Sequence, residues 1–333
     1  MKKKSASRKP AVLSEGVSIY AVAEKAGVSI VTVSRVFNDY PHVSQRMRQR
    51  VFAAARDVGY TPRLVSKPKV MAVIVGHLDH LSAGDYKTRL MLDIIRTAAK
   101  NGYLVEFIPY DAVELATKHL VDAIVEVGLT DDEMLRLDHL PPVPTIVINK
   151  ASPRPHWSSV RSDQHYEGLL STSHLIGAGH RRIALIVDDP RGWGVEQRRA
   201  GYEQAARDAK LKDFNPTIFC SSESSPLEIA RQMSRGGCTA CVNLTDNFGF
   251  AVLDACANEV KLRIPEYLSV VCLENKAVSQ FWSPRLTTIE QPLDAIAEAV
   301  VKGLIELLEH PGKRLDRVLK CRLIERDSVR LLK

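Results

Sequence analysis

Few of the side chains that commonly carry chemistry are spaced to do so in this 333-residue chain. Cys238-x-x-Cys241 has the spacing of half a zinc or redox site, but no second pair stands near it. His77, Asp79 and His80 offer metal-ligating groups on one short stretch without a fourth at a suitable spacing, so neither a metal nor another cofactor is expected. No Gly-x-Gly-x-x-Gly follows the first apolar run of the larger part of the chain. Phosphate loops ending in Lys-Ser or Lys-Thr, Gly-x-Ser-x-Gly elbows and His-Glu-x-x-His helices are also missing. An enzyme is therefore not expected. What remains is charge: residues 1–69 hold 14 Lys and Arg against 4 Asp and Glu, a net of +10, and the rest holds 32 against 35, a net of −3. A basic segment on a slightly acidic body binds a polyanion at one end, and nucleic acid is the commonest such partner. A solvated tail accounts for Lys2, Lys3, Lys4, Arg8 and Lys9, but not for Arg35 to Arg63, which fall within patterned helices and their exit.

Three short helices position those arginines. Ser18 is placed to cap Ile19–Lys25, with Ile19, Val22, Ala23 and Ala26 on one face and Gly27 as its stop. Ser29 caps a second helix, Ile30 to Phe37, after so short a gap that the pair forms a helix-turn-helix. A third runs from Gln45 to Val58 behind Ser44, with Met47, Val51, Ala54, Ala55 and Val58 as its apolar stripe.

The run from Val17 to Asn38, then His42-Val-Ser and Gly59-Tyr-Thr-Pro62, resembles the headpiece of the lactose-repressor (LacI/GalR) family of bacterial transcription regulators. The resemblance implies that the second helix lies in the DNA major groove. Ile30, Val31 and Arg35 would then face bases. Ser29, Thr32, Asn38, His42 and Ser44 would hold phosphates, with Ile19 and Tyr20 at the start of the first helix. Arg35 has the fork for guanine O6 and N7, whereas Ile30 and Val31 are restricted to apolar contacts such as thymine methyls. Many relatives have polar residues at those two positions.

From Val70 onward, short apolar runs alternate with helical stretches. Val70–Gly76, Leu104–Ile108, Ala123–Val127, Thr145–Asn149, Ile183–Asp188, Thr217–Cys220, Cys241–Leu244 and Leu268–Glu274 read as strands. That alternation predicts an α/β body of two doubly wound parallel-sheet subdomains, with ligands at the carboxyl ends of strands. The resemblance continues through Asp163-x4-Gly168, His174-Leu, Gly179-His-Arg-Arg-Ile-Ala-Leu-Ile, Arg198-x-x-Gly201-Tyr, Thr245-Asp246, Leu268-Ser-Val-Val and Pro284-x-Leu-Thr-Thr-Ile-Glu-Gln-Pro292. It implies a periplasmic-binding-protein-like body that closes on a small, sugar-like effector. Asn149, Arg198, Thr245, Asp246 and Glu274 would surround that cleft, with Trp193 as a stacking wall. Cys272 and Glu274 depart from the Gly and Asp that relatives usually show there.

The organisation expected is a basic tail at 1–16, a helix-turn-helix domain at 17–61, a shortened linker at 62–69 and the body at 70–333. Within the body, one subdomain would span about 70–158 plus 290–318 and the other about 159–289 plus 319–333. In relatives the linker carries a hinge helix that wedges into the minor groove; here the connection is about six residues shorter, and Pro68 follows closely. An extended tether is expected, with Arg63 on phosphate. The function expected is that of an effector-controlled, sequence-specific regulator acting as a homodimer on double-stranded operator DNA. The alternative is a solute-binding or enzymatic α/β protein with an accessory basic helical domain. No apolar run approaches the ~18 residues of a membrane span and no signal peptide is evident, so a cytoplasmic location without a membrane partner is expected.

Overall fold

The computed structural model describes residues 18–37, 40–60, 69–76, 86–119, 121–140, 142–187, 192–211, 216–245 and 247–332. The chain divides into two compact units, Met1–Pro68 and Lys69–Lys333. The first holds α1 (Ile19–Ala26), α2 (Ile30–Phe37) and α3 (Gln45–Val58). Val22, Ala23 and Ala26 of α1, Val33 and Val36 of α2, and Val51, Ala54 and Ala55 of α3 close into one apolar core. Small residues dominate this list, which lets three short helices approach closely. Gly27 ends α1 in the left-handed conformation at φ 58°, donating back to Ala23 and Glu24. The expected tail at 1–16 and the expected linker at 62–69, apart from Lys69, lie outside the described residues, as does the tether assigned to Arg63.

The second unit runs β1 (Val70–Val75), α4 (Tyr86–Lys100), β2 (Leu104–Pro109), α5 (Leu115–Lys118), β3 (Ala123–Val127), α6 (Asp131–Met134), β4 (Thr145–Ile148) and β5 (Ser158–Ser162). Then follow α7 (Gln164–Gly177), β6 (Ile183–Val187), α8 (Trp193–Asp208), β7 (Thr217–Cys220), α9 (Pro226–Arg235), β8 (Ala240–Asn243), α10 (Asn247–Asp254), β9 (Ser269–Leu273) and β10 (Thr287–Glu290). The chain closes with α11 (Leu293–Glu309), β11 (Asp316–Leu319) and β12 (Arg322–Ile324). One six-stranded sheet has the order β11-β5-β4-β3-β1-β2 and the other β12-β10-β9-β8-β6-β7. Of these pairings only β10 with β12 is antiparallel.

Strands buried on both faces explain the near-continuous apolar runs. Along β1, Met71, Val73 and Val75 enter the core under α4 and α11, while Ala72 and Ile74 enter the core on the opposite face. Along β6, Ile183, Leu185 and Val187 alternate in the same way with Ala184 and Ile186. Each such apolar side chain contributes roughly 1.5–3 kcal/mol on burial.

The polypeptide changes sheet at three places: after β5, after β10, and between β11 and β12. β5 belongs to the first sheet, so the first change falls after Ser162 and not at residue 158; β11 likewise extends that sheet to Leu319. β5, β10, β11 and β12 were not among the eight strands expected. β5 is Ser-Ser-Val-Arg-Ser and β10 Thr-Thr-Ile-Glu, and their buried hydroxyls are satisfied locally. Ser159 Oγ donates to the Lys150 carbonyl at 2.6 Å, and Ser158 Oγ accepts from Leu315 N at 3.0 Å.

Candidate nucleic-acid interface and effector cleft

In the first unit, α2 turns its apolar residues Val33 and Val36 inward and leaves Ile30, Val31 and Arg35 outward, with Ile30 and Val31 38% and 58% exposed. Exposed β-branched residues on a two-faced helix lack a folding role, and with Arg35 they form one outward face. Ser29 Oγ accepts from Thr32 N at 3.1 Å and pairs with Thr32 Oγ1 at 2.9 Å, capping α2. Ser44 caps α3 by accepting from Met47 N. The Arg35 guanidinium lies 6.0 Å from the centre of the Tyr40 ring.

The arginines of α3 divide by role. Arg48 donates to the Tyr40 carbonyl at 2.7 Å and the Val43 carbonyl at 3.3 Å, fastening the turn before α3. Arg50 donates to the Gly27 carbonyl at 3.5 Å and so supports the turn between α1 and α2. Arg46 and Arg56 are exposed. Tyr20 is 67% exposed, His42 is exposed, and Ile19 packs half-buried against the three-helix core. Asn38 lies outside the described residues.

In the second unit a cavity of about 420 Å³ opens where two of the crossovers pass between the sheets. Its wall includes Tyr86, Glu274, Lys276, Glu290, Gln291 and Arg322. Burial alone would raise the Glu290 carboxyl, but Lys276 and Arg322 beside it outweigh that and hold it below its usual range. Lys276 Nζ stands 3.1 Å and Arg322 2.5 Å from that carboxylate. Glu274, with its side chain 4% exposed, accepts from Arg326 at 2.9 Å and from Thr288 Oγ1. Its second oxygen is buried without a donor among the described residues.

Beside the crossovers sits a fully buried carboxylate. Glu167 of α7 accepts from Arg198 Nε of α8 at 2.8 Å, Ser162 Oγ at 2.6 Å and Gln291 Nε2 at 2.7 Å. Asn149, in the left-handed conformation at φ 55°, donates from its amide to the Tyr86 hydroxyl at 2.5 Å and accepts from Ser162 N at 2.9 Å. The helices that carry the pair are nearly in backbone contact: a Cβ on Gly168 would lie 2.0 Å from the Arg198 carbonyl oxygen, and one on Gly201 2.0 Å from that of His165.

Two family models match this chain. The one described as bacterial regulatory proteins, lacI family, matches residues 18–63, and the one described as periplasmic binding protein-like domain matches residues 172–329. Residues 18–63 are thus those of the lacI family. Its similarity extends to the HTH-type transcriptional repressor PurR of Aliivibrio salmonicida (strain LFI1238), 25% identical over 317 residues that cover 90% of this chain and 95% of that protein. The HTH-type transcriptional regulator DegA of Bacillus subtilis (strain 168) is 27% identical over 297 residues, covering 83% and 87%. A lac repressor dimer solved with operator and the anti-inducer ONPF shares the fold at a TM-score of 0.78 and 24% identity, over 95% of this chain and 100% of that one. A regulator CelR–cellobiose complex does so at 0.70 and 23%, over 94% and 99%.

In this chain the cavity takes in only part of the effector set expected from sequence. Glu274 lines it; Asn149, Trp193, Arg198 and Thr245 are not in its wall, and Asp246 lies outside the described residues. The reasons are local. Glu167 holds Arg198, and Asn149 is engaged by Tyr86 and Ser162. Trp193 lies against the Arg161 guanidinium at 5.6 Å, and the buried Thr245 donates to Asn243 at 2.9 Å. Tyr86, Lys276, Glu290, Gln291 and Arg322 were not anticipated. Glu290 and Gln291 stand inside the Thr-Thr-Ile-Glu-Gln-Pro motif, which marked the second crossover without marking its lining. Cys238 and Cys241 are buried free thiols; burial raises Cys238 and pushes Cys241 well above the ordinary thiol range. His77, Asp79 and His80 lie outside the described residues.

Proposed function

We propose that the protein is a repressor-type, sequence-specific DNA-binding regulator, with α2 entering the major groove and a small effector taken into the cavity of the body. The observation that carries it is the outward face of α2, where Ile30, Val31 and Arg35 project from a helix fixed by the Ser29 cap and a closed core. Arg35 reads a guanine and the two aliphatic residues meet thymine methyls. Tyr20, Thr32, His42, Ser44 and Arg46, with Asn38 and Arg63, follow phosphates. Arg48 and Arg50 support the turns instead. Asn149, Trp193, Arg198, Thr245, Asp246 and Glu274 form or brace the effector site. The protein acts in the cytoplasm and catalyses no reaction; among the described residues no helix is long and apolar enough to cross a membrane.

It acts as a homodimer on a two-fold site. Leu92 and Ile95 of α4 and Phe107 of the edge strand β2 are exposed, which gives a second copy an apolar face to cover. Selection of bound duplexes from a random-sequence pool tests this reading. A two-fold symmetric motif is expected, and recovery of unenriched sequence at low salt would refute it.

A further inference from the structure

We infer that Tyr40 is a positioning residue for base reading: its exposed ring holds the Arg35 guanidinium on the outward face of α2, so loss of the ring lowers sequence selectivity without weakening the general attraction to DNA. This rests on the reading of α2 above, in which Arg35 meets a guanine.

The ring of Tyr40 does not serve the fold. Tyr40 is 54% exposed and stands outside the three-helix core, against which Phe37 and Tyr60 pack. What the ring meets is Arg35, whose guanidinium carbon lies 6.0 Å from its centre. The backbone of Tyr40, by contrast, is fixed from two sides. Its N–H donates to the Arg35 carbonyl at 3.0 Å, which ties it to the last turn of α2. Its carbonyl accepts from Arg48 of α3 at 2.7 Å and from Val43 N at 3.3 Å. The ring thus departs from an anchored point beside α2. Arg48 of α3 reaches the reading face through it, by way of the turn.

An exposed arginine on a helix samples many rotamers, and ordering it against a base costs side-chain entropy. A ring beside it confines those rotamers before DNA arrives. It does so through its π face, which attracts the charge without accepting any of the five N–H donors, so the fork remains whole for guanine O6 and N7. Among the described residues no carboxylate pairs with Arg35, which leaves the ring as its neighbour of opposite electrostatic character. Preorganisation of this kind lowers the ordering cost of recognition. Because the ring bears no charge, it adds nothing to the counterion release that drives binding to any sequence.

Fluorescence anisotropy with the full-length protein tests this on a selected duplex, a scrambled one, and selected duplexes with each guanine replaced in turn. Selectivity is the ratio of affinities for the selected and scrambled duplexes. Tyr40→Ala should lower it about 2- to 5-fold, the equivalent of roughly 0.5–1 kcal/mol for an exposed cation–π contact, and at the same guanine that Arg35→Ala ceases to distinguish. Tyr40→Phe keeps the ring face and should keep the wild-type ratio. Tyr40→Leu keeps apolar bulk without a π face and should lose as much as Tyr40→Ala, which guards against an unstable alanine variant. In the Tyr40→Ala/Arg35→Ala double variant, loss of the ring should cost nothing beyond Arg35→Ala. Salt slopes of wild type and Tyr40→Ala on scrambled DNA should be parallel. Equal losses on both duplexes would make Tyr40 a phosphate contact and overturn the inference. So would a Tyr40→Phe loss as large as that of Tyr40→Ala, full selectivity in Tyr40→Leu, or additive losses in the double variant. The two readings fail separately: if Arg35→Ala keeps the wild-type ratio, base reading by Arg35 fails and takes the inference with it, whereas if Arg35→Ala loses selectivity and Tyr40→Ala does not, only the role of Tyr40 fails.

Discussion

Replacing Gly168 or Gly201 by Ala probes the approach of α7 and α8, on which the Glu167–Arg198 pair depends. The new methyl at 168 would stand 2.0 Å from the Arg198 carbonyl oxygen and 2.8 Å from its carbon; at 201 it would stand 2.0 Å from the His165 oxygen and 2.7 Å from Leu169 N. Close carbon–oxygen contacts fall near 3.3 Å, so each substitution forces the helices apart by on the order of 1 Å. All of these obstructing atoms are backbone and do not rotate away. Overpacking of this kind costs about 1–3 kcal/mol and occasionally more, and disturbance of the buried ion pair places both variants at or above the upper end. At ~2–4 °C per kcal/mol for a domain this large, the melting temperature of the body should fall by about 6–12 °C. Gly177, the last residue of α7, is the control: nothing lies within 4 Å of its would-be Cβ. Gly177→Ala should be neutral or stabilising by up to ~1 kcal/mol. Thermal melts of the full-length variants decide the matter; a shift under ~2 °C for either Gly168→Ala or Gly201→Ala would refute the close-approach argument.

Burial holds the imidazoles of His174 and His180 below their ordinary 6.5. As pH falls below that value the unfolded chain takes up protons that the folded one refuses, so stability is full above about pH 6.5 and declines below it. Urea unfolding across that window should show the decline, and His180→Gln should flatten it; equal wild-type stability on both sides, or an unaltered slope, contradicts the assignment. Ser29→Ala removes the cap of α2 and should cost ~1 kcal/mol in headpiece stability, with a cost below ~0.3 kcal/mol by denaturant titration counting against it. Phe107→Asp on β2 together with Leu92→Asp on α4 should convert a dimer to monomers in sedimentation; an unchanged dimer places the interface elsewhere.

Legibility followed the physics of each element. The helices of the headpiece were readable because cap residues, glycine stops and apolar spacing coincide at Ser29, Ser44, Gly27 and Gly59. Strands β1 to β4 and β6 to β9 were readable as apolar runs. Those at the crossovers were not, because Ser158, Ser159, Ser162, Thr287 and Thr288 are buried hydroxyl residues that sequence reads as loop. The cleft was legible only in part for a related reason. Sequence placed Arg198 and Glu274 nearby but carried no sign that Glu167 and Arg326, 31 and 52 residues away, hold them. The glycines of the Asp163-x4-Gly168 and Arg198-x-x-Gly201 motifs were visible as pattern, and their cause is the contact of two helix backbones.

The most direct test of DNA reading by α2 is the ratio of affinities for a selected duplex and a scrambled one, measured by fluorescence anisotropy across a salt titration for wild type and Arg35→Ala. The expected result is a wild-type preference of at least ~10³, an Arg35→Ala loss of about 1–3 kcal/mol confined to the selected duplex, and parallel salt slopes for the two proteins on scrambled DNA. Equal loss on both duplexes would reduce Arg35 to a phosphate contact and contradict the assignment of α2 to the bases.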